Sequence, residues 1–377
     1  MRDPCITLLR DLVAIDSVNP SLVAGAAGEG AISDAIAEEM RRSGFDVVVE
    51  EVAPGRSNVV GVIEGAQPGR SLMFCGHMDT VGVDGMRMPF DPVERDGRLY
   101  GRGSQDMKGG LAAMIDAARV ARSRGFNQGR IVVAAVIDEE YASIGADALA
   151  AAWRTDAAVV TEPTDLQIGV AHKGFAWAEI RTLGRAAHGS RPADGRDAIL
   201  RMGRVLQGLE QLDRELQARP AHRLMGTGSL HASIVEGGRE WSSYPDTCVL
   251  RTERRTVAGE TGDTFMAEIE TLLQRLRDDD ARFEASAALV FTRPAYEIAE
   301  GHALTAAMMR AGAAHGVSAR PVGMSFWTDA AILGEAGIPS VLFGPGGAGL
   351  HSIEEYVRVA DVIACRDTLA ALALDHC

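Results

Sequence analysis

Apolar residues run along this chain in two textures. In the first, short apolar blocks stand without alternation. Residues 131–137 read Ile-Val-Val-Ala-Ala-Val-Ile, which predicts a strand covered on both faces. The blocks at 71–75, 157–160 and 340–343 have the same character. Helical spacing separates them. Within 32–42, Ile32, Ile36 and Met40 share one stripe, and Gly44 closes the helix. The spacing also predicts helices over 4–15, 107–122, 146–153, 302–314, 329–336 and 359–374. Strands are expected over 46–52 and 58–63, and a loop-rich excursion over 82–100. Buried strands alternating with helices predict an α/β domain.

From residue 175 the texture changes. Residues 175–183 alternate, as a half-exposed strand does. An amphipathic helix over 197–216, strands over 230–235 and 247–256, a helix over 261–276 and a strand over 282–291 follow. That strand–helix–strand–strand–helix–strand order is a compact α+β unit. The first texture resumes near residue 293. The expected organisation is a discontinuous larger domain, 1–174 and 293–377, with a smaller one, 175–292, inserted. A length of 377 residues is enough for two cores.

Composition narrows the partners. With 46% hydrophobic and 24% charged residues, the chain reads as a soluble globular protein. A net charge of −14 argues against nucleic acid or an anionic membrane as partner. The first fifteen residues mix charges with apolar side chains, and no later run reaches membrane length. The five cysteines, Cys5, Cys75, Cys248, Cys365 and Cys377, are scattered and form no CxxC pair, which suits a reducing compartment. A cytoplasmic location is the resulting expectation.

Acidic and histidine residues then collect at strand ends. His77 follows the block at 71–75, Glu139 and Glu140 follow 131–137, and Glu162 follows 157–160. In open α/β sheets, ligands bind past the carboxyl ends of strands. Asp106 sits between glycine shoulders in Gly101-Arg102-Gly103-Ser104-Gln105-Asp106-Met107-Lys108-Gly109-Gly110. Glycines permit positive φ and close approach to a ligand. Taken singly, Asp106 suits a helix N-cap, His77 a packed core histidine, and Glu139-Glu140 a solvated turn. Taken with His351, which follows a glycine loop at 344–349, the residues His77, Asp106, Glu140 and Glu162 offer imidazoles and carboxylates suited to Zn²⁺, or to Co²⁺ or Mn²⁺. Asp106 can give one oxygen to each of two cations about 3.5–4 Å apart. Each ion then has one His, one terminal carboxylate and the shared aspartate. Glu139, beside a ligand, suits a general base. Asp79, two residues past His77, suits an acceptor for the second ring N–H of that histidine.

The segments Gly76-His77-Met78-Asp79-Thr80-Val81, the 101–110 loop, Asp138-Glu139-Glu140, Glu162-Pro163-Thr164 and His351 resemble, in order and over nearly the whole chain, the co-catalytic metallopeptidase family of acetylornithine deacetylase, succinyl-diaminopimelate desuccinylase, carboxypeptidase G and aminoacylase. The resemblance implies a zinc-aminopeptidase-like mixed-sheet catalytic domain with an inserted ferredoxin-like lid or dimerisation domain, and hence a homodimer. It implies that Asp106 bridges two divalent ions, most commonly zinc, with His77, Glu140, Glu162 and His351 as the other ligands and Glu139 as base. His188, in Ala187-His188-Gly189-Ser190-Arg191-Pro192, resembles the lid histidine that helps hold the oxyanion. Arg255 resembles the arginine that pairs with a substrate carboxylate; Arg251 and Arg254 lie close to it in sequence, and a solvated strand charge is the alternative. Gly346 offers a backbone N–H for the same carboxylate, or marks a plain turn. Phe326 and Trp327 stand where relatives have a glycine-rich loop. They are expected to line the acyl or side-chain pocket, or to pack beneath the loop. Ser242 replaces a common asparagine and Ala258 a common proline.

The expected reaction is hydrolysis of the amide bond of a small N-acyl amino acid carrying a free carboxylate, as in acetylornithine deacetylation. Water activated between two metals attacks, and Glu139 is the general base. Carboxypeptidase or dipeptidase action uses the same machinery and is the alternative. A non-catalytic binding protein on this fold would have lost Glu139 or a ligand; neither is lost.

Overall fold

The computed structural model of the protein describes residues 3–377. Its contacts divide into two units. The first comprises the chain up to Val170, Ile298–Val322 and Thr328–Cys377; the second comprises Ala171–Glu297 and Gly323–Trp327.

In the first unit a mixed sheet runs in the order Asp46–Ala53, Arg56–Glu64, Gln128–Val136, Gln67–His77, Ala157–Val160, Ser340–Leu342, and then the strand that begins at Ile168. The four central strands from Gln128–Val136 to Ser340–Leu342 are mutually parallel. The flanking ones are antiparallel. Every residue of Ile131–Val136 is fully buried, as continuous apolar strands require when both faces are covered. Helices Gly109–Ser123 and Val359–His376 pack on Gln67–His77, while Ile144–Ala152 packs on Gln128–Val136. Register then places the chemistry. His77 pairs with Val136 and Cys75 with Val160. The chain therefore leaves all three strands at one edge, carrying His77, the 138–140 turn and Glu162 there.

Differences from the expected elements have local causes. The helix after Asp106 begins at Gly109, not Met107, because Asp106 (φ −118°, ψ 94°) and Met107 (φ −132°, ψ 37°) are not helical. The 82–100 excursion contains Val93–Arg95 and Arg98–Tyr100. These pair with each other, and Arg98–Tyr100 also pairs with Tyr356–Arg358, which in turn pairs with Gly347–Ala348. Strands of three residues are too short to show a period. Among the described residues, no helix is long and apolar enough to cross a membrane.

The second unit is a four-stranded antiparallel sheet in the order Ser229–Gly237, Thr247–Thr256, Gly174–Leu183, Glu284–Arg293. With helices Ala198–Gln217 and Gly262–Asp279 between the strands, this is the ferredoxin-like order. Alternation builds its core: Ala176, Ala178 and Ile180 pack with Val205, Leu209, Ile269 and Leu273. Both helices start on side-chain caps. Asp197 accepts from the Leu200 N–H, and Thr261 forms a reciprocal capping box with Thr264.

Candidate active site

The parallel strand ends supply one wall of the site, and glycine geometry brings the second wall to it. Gly103, at φ 76°, turns the loop left-handed ahead of Asp106. Gly110 lies so close to the Thr161 carbonyl oxygen that a Cβ would collide with it. Its absence lets the start of helix Gly109–Ser123 approach the strand end that precedes Glu162. Past the Gln128–Val136 strand, Asp138 takes φ 67°, a conformation uncommon outside glycine. That bend redirects the chain so that both Glu139 and Glu140 serve the site.

Asp79 holds this turn. Its Oδ1 accepts from the Glu139 N–H at 3.1 Å, and its Oδ2 from the Glu140 N–H at 3.1 Å and from Asn19 Nδ2 at 2.7 Å. The Nδ1 of His77 lies 3.0 Å from the Asp79 carbonyl oxygen and 3.5 Å from its carboxylate. The carbonyl is therefore the nearer acceptor for the ring N–H, and Nε2 is left to face the acidic residues.

Asp106 divides the cluster. Its Oδ1 is 3.1 Å from His77 Nε2, and its Oδ2 is 3.4 Å from His351 Nε2. On the His77 side, Glu139 Oε2 and Glu162 Oε1 each lie 3.9 Å from Nε2. On the His351 side, Glu140 Oε2 lies 3.1 Å from Nε2. Potential ligand atoms of His77, Glu139 and Glu162, and again of His77, Asp106 and Glu140, fall within 4.8 Å of one another. Proximity thus groups Glu139 with ligands, and His351 completes the opposite side.

The electrostatics are those of an anionic pocket wanting cations. Burial pushes the Glu139 and Glu162 carboxyls well up; for Glu139 the charge of Glu162 adds to it, and for Glu162 that of Asp106. Burial and then the Asp106 charge lift Glu140 to about 7. Burial opposes ionisation of Asp106 too, but hydrogen bonds from His351 and His77 outweigh it and hold the carboxyl well below its usual range. Burial disfavours a charged His77, yet its bonds to Asp106 and Asp79 raise it well above an ordinary imidazole. Hydrogen bonds to Asp106 and Glu140 raise His351 to about 10. Without metal, protons on the two rings stand in for missing positive charge. The Oε1 of Glu140 is buried without a hydrogen-bond partner, a lone-pair donor aimed at nothing in the protein. Oxygen and imidazole donors with uncompensated charge fit divalent transition ions.

Residues 73–375 match Peptidase family M20/M25/M40. The chain belongs to this family. It is 32% identical over 349 residues to the acetylornithine deacetylase of Myxococcus xanthus, covering 88% of this chain and 86% of that one. It is 28% identical over 413 residues to the N-formyl-4-amino-5-aminomethyl-2-methylpyrimidine deformylase of Bacillus subtilis (strain 168), covering 100% and 95%. Among solved structures it resembles a tripeptidase from Staphylococcus aureus, with a TM-score of 0.82 at 20% identity over 99% and 97% of the two chains. The protein is thus a metallo-hydrolase of the M20/M25/M40 family with a candidate metal site.

Around this site of the M20 chain lie residues whose part was not read from sequence. Arg56 donates to Glu29 and Asp138, and Asn19 bridges Asp79 and Asp138. Together they brace the bend at Asp138. Asp329 is buried, and its charge adds to the upward shift of both Glu139 and Glu162. It lies two residues past Trp327. For Asn19, Glu29 and Arg56 the chain gives no periodic or motif signal.

The substrate-side candidates separate from the metal-side ones. Gly346 is in the first unit, where its N–H donates to Asp361 Oδ2 at 3.1 Å, so this donor is already engaged. In the second unit, His188 is exposed. Its Nδ1 accepts the Ser190 N–H at 3.2 Å and lies 2.8 Å from Ser190 Oγ, so a neutral ring carries its proton on Nε2. Arg255 pairs with Glu253 at 2.6 Å and lies over the Phe175 ring at 5.5 Å. Its neighbour Arg254 is buried between Glu260 and Glu268. Trp327 is buried; its indole N–H donates to the Pro294 carbonyl at 3.1 Å, and its ring meets His172 and Phe175 edge-on. The Arg293 guanidinium lies over the same ring at 5.8 Å, so Trp327 is packed within its own unit.

Proposed function

We propose that the protein is a dinuclear N-deacylase acting on a small N-acyl amino acid with a free carboxylate. The observation that supports this most is the division of Asp106, one oxygen toward His77 and the other toward His351, each with a further carboxylate on its side. In this reading His77, Asp106 and Glu162 hold one ion, and Asp106, Glu140 and His351 the other. Zinc fits best, with cobalt or manganese as substitutes. When bound, the pair supplies Lewis acidity and makes water acidic near neutral pH.

The side chains do the rest. Asp79 fixes His77 through the ring N–H and the 138–140 turn through backbone donors, so three groups keep their geometry as the reaction proceeds. Glu139, whose carboxyl is raised by burial and the Glu162 charge, takes a proton from the attacking water and returns it to the departing nitrogen. His188 presents its Nε2–H to the oxyanion, and Arg255 pairs with the substrate carboxylate in exchange for Glu253. A homodimer in the cytoplasm completes the reading.

Both curated relatives cited above carry names that describe removal of a small acyl group from nitrogen, which favours deacylation over exopeptidase action. The test is a panel of N-acetyl and N-formyl amino acids and of dipeptides, read by amine release with zinc-loaded and cobalt-loaded protein. Release from the acyl amino acids supports the reading. Cleavage of dipeptides alone replaces it with an exopeptidase, and tight binding without any turnover replaces it with a binding protein.

A further inference from the structure

Glu355 is a carboxylate with no solvent exposure that the chemistry above does not use. It lies four residues past His351, at the start of the small sheet that includes Tyr356–Arg358. The loop that carries Asp106 wraps around it. Its Oε2 accepts from Arg102 Nη1 at 2.6 Å and from the Gly103 N–H at 2.9 Å. Its Oε1 accepts from the Gln105 N–H at 2.9 Å and from the N–H of Asp106 itself at 3.0 Å. Its carbonyl accepts from the Gly101 N–H at 3.2 Å. Arg102 also reaches back, donating through Nη2 to the Ser352 carbonyl at 2.9 Å. One buried carboxylate thus accepts from the backbone N–H groups of Gly103, Gln105 and Asp106 and from the Arg102 side chain, and the same ion pair ties down the residue after His351.

His351 needs such a tether. Its side chain is 56% exposed, against 1% for His77, so packing does little to place it. Its backbone sits at φ 57°, a conformation that costs energy outside glycine and persists only where surroundings enforce it. Residues 350–354 around it are exposed, and Glu355 is the first buried position after them. A charge-assisted carboxylate with several donors is among the stronger ties available to a loop.

We propose that Glu355, with Arg102, is a positioning residue that sets the spacing between Asp106 and His351, and so selectively maintains the ion site formed by Asp106, Glu140 and His351. The proposal rests on the two-ion reading given above. His77 and Glu162 are carried by the central strands and do not depend on this clamp. Asp106 serves both sides, but only the His351 side has its histidine on the clamped loop, so losing the clamp weakens that ion more than the other.

The experiment is a Co²⁺ titration of the metal-free full chain, followed by the visible absorption of the bound ion, for the natural protein, His351→Ala, Glu355→Gln and Arg102→Met. His351→Ala identifies the phase that belongs to its side. In Glu355→Gln that phase should weaken by roughly 10–100-fold, the usual effect of removing a group that orients a ligand, and clearly more than the other phase, and excess Co²⁺ should restore its bands. Arg102→Met should show the same selectivity, and it decides the matter if Glu355→Gln does not fold by circular dichroism. Two phases in the natural protein that are unchanged in both variants overturn the clamp and leave the two-ion reading intact. Equal weakening of both phases also overturns it, since that is general destabilisation. Fewer than two phases in the natural protein overturns the two-ion reading itself, and the clamp with it.

Discussion

The two sides of Asp106 are built on opposite principles. His77 and Glu162 stand at the ends of adjacent parallel strands, with side chains 1% and 6% exposed. Their positions follow from a sheet whose every neighbour is packed. His351 stands on an exposed segment between two short strands, with its side chain 56% exposed. His77 is placed by the core of the fold, whereas the loop of His351 is tied by Arg102 and its hydrogen-bonded carboxylate partner Glu355. Two ion sites that share a ligand can thus differ in what holds them, and in which changes disturb them.

The largest effect should come from removing what the two sides share. Asp106→Ala is expected to reduce metal content at both sites and amide hydrolysis to background; retention of two tightly held ions, by elemental analysis, would remove Asp106 as the bridge. Next comes Glu139, which sits among the His77-side groups but is assigned proton transfer. Glu139→Gln should lower kcat by about 10²- to 10⁴-fold with metal stoichiometry unchanged. A loss of one ion instead would make it a ligand and redraw that side.

Protons sharpen the comparison at intermediate size. In the metal-free protein His351 contributes stability fully below an ordinary imidazole pKa of 6.5, and this is lost as pH rises through about 10. Glu140, raised to about 7 from 4.5, binds more proton folded than unfolded between those values, so stability falls there as pH rises. Both contributions have the same sign, so the Tm advantage of the natural metal-free protein over His351→Ala should decline between about pH 6.5 and pH 10. Binding of Co²⁺ at pH 7 should release protons, measured by titration calorimetry in buffers of different ionisation enthalpy. No proton release would contradict the charge assignments. The remaining effects belong to the second unit. His188→Ala should lower kcat strongly with metal content intact, and an unchanged kcat would make it ordinary lid surface. Arg255→Ala should mainly raise KM for substrates with a free carboxylate. Equal KM changes on amidated analogues would take Arg255 off the substrate.

The same division explains what could be read from sequence. Strand-end residues announce themselves, because an apolar run with no alternation marks a buried strand and its end marks an edge. His77, Glu139, Glu140 and Glu162 were legible for that reason, and the glycine shoulders of 101–110 marked Asp106. The second unit was legible from alternation and from caps such as Asp197 and Thr261. Glu355 was not, because nothing local distinguishes a buried carboxylate from a solvated one until Arg102 is folded against it from far along the chain. Asn19, Glu29 and Arg56 were hidden in the same way. Their partners at Asp79 and Asp138 are tertiary neighbours with no shared period. The engagement of the Gly346 N–H by Asp361 and of Arg255 by Glu253 likewise depends on pairings that spacing does not encode.

The central claim is that one aspartate carboxylate holds two ions. It is tested most directly by crystals of the cobalt-loaded protein and anomalous difference maps at the cobalt edge. The account predicts two peaks about 3.5–4 Å apart, one beside each oxygen of Asp106, with His77 and Glu162 around the first and His351 and Glu140 around the second. A single peak, or two that do not share Asp106, would contradict it.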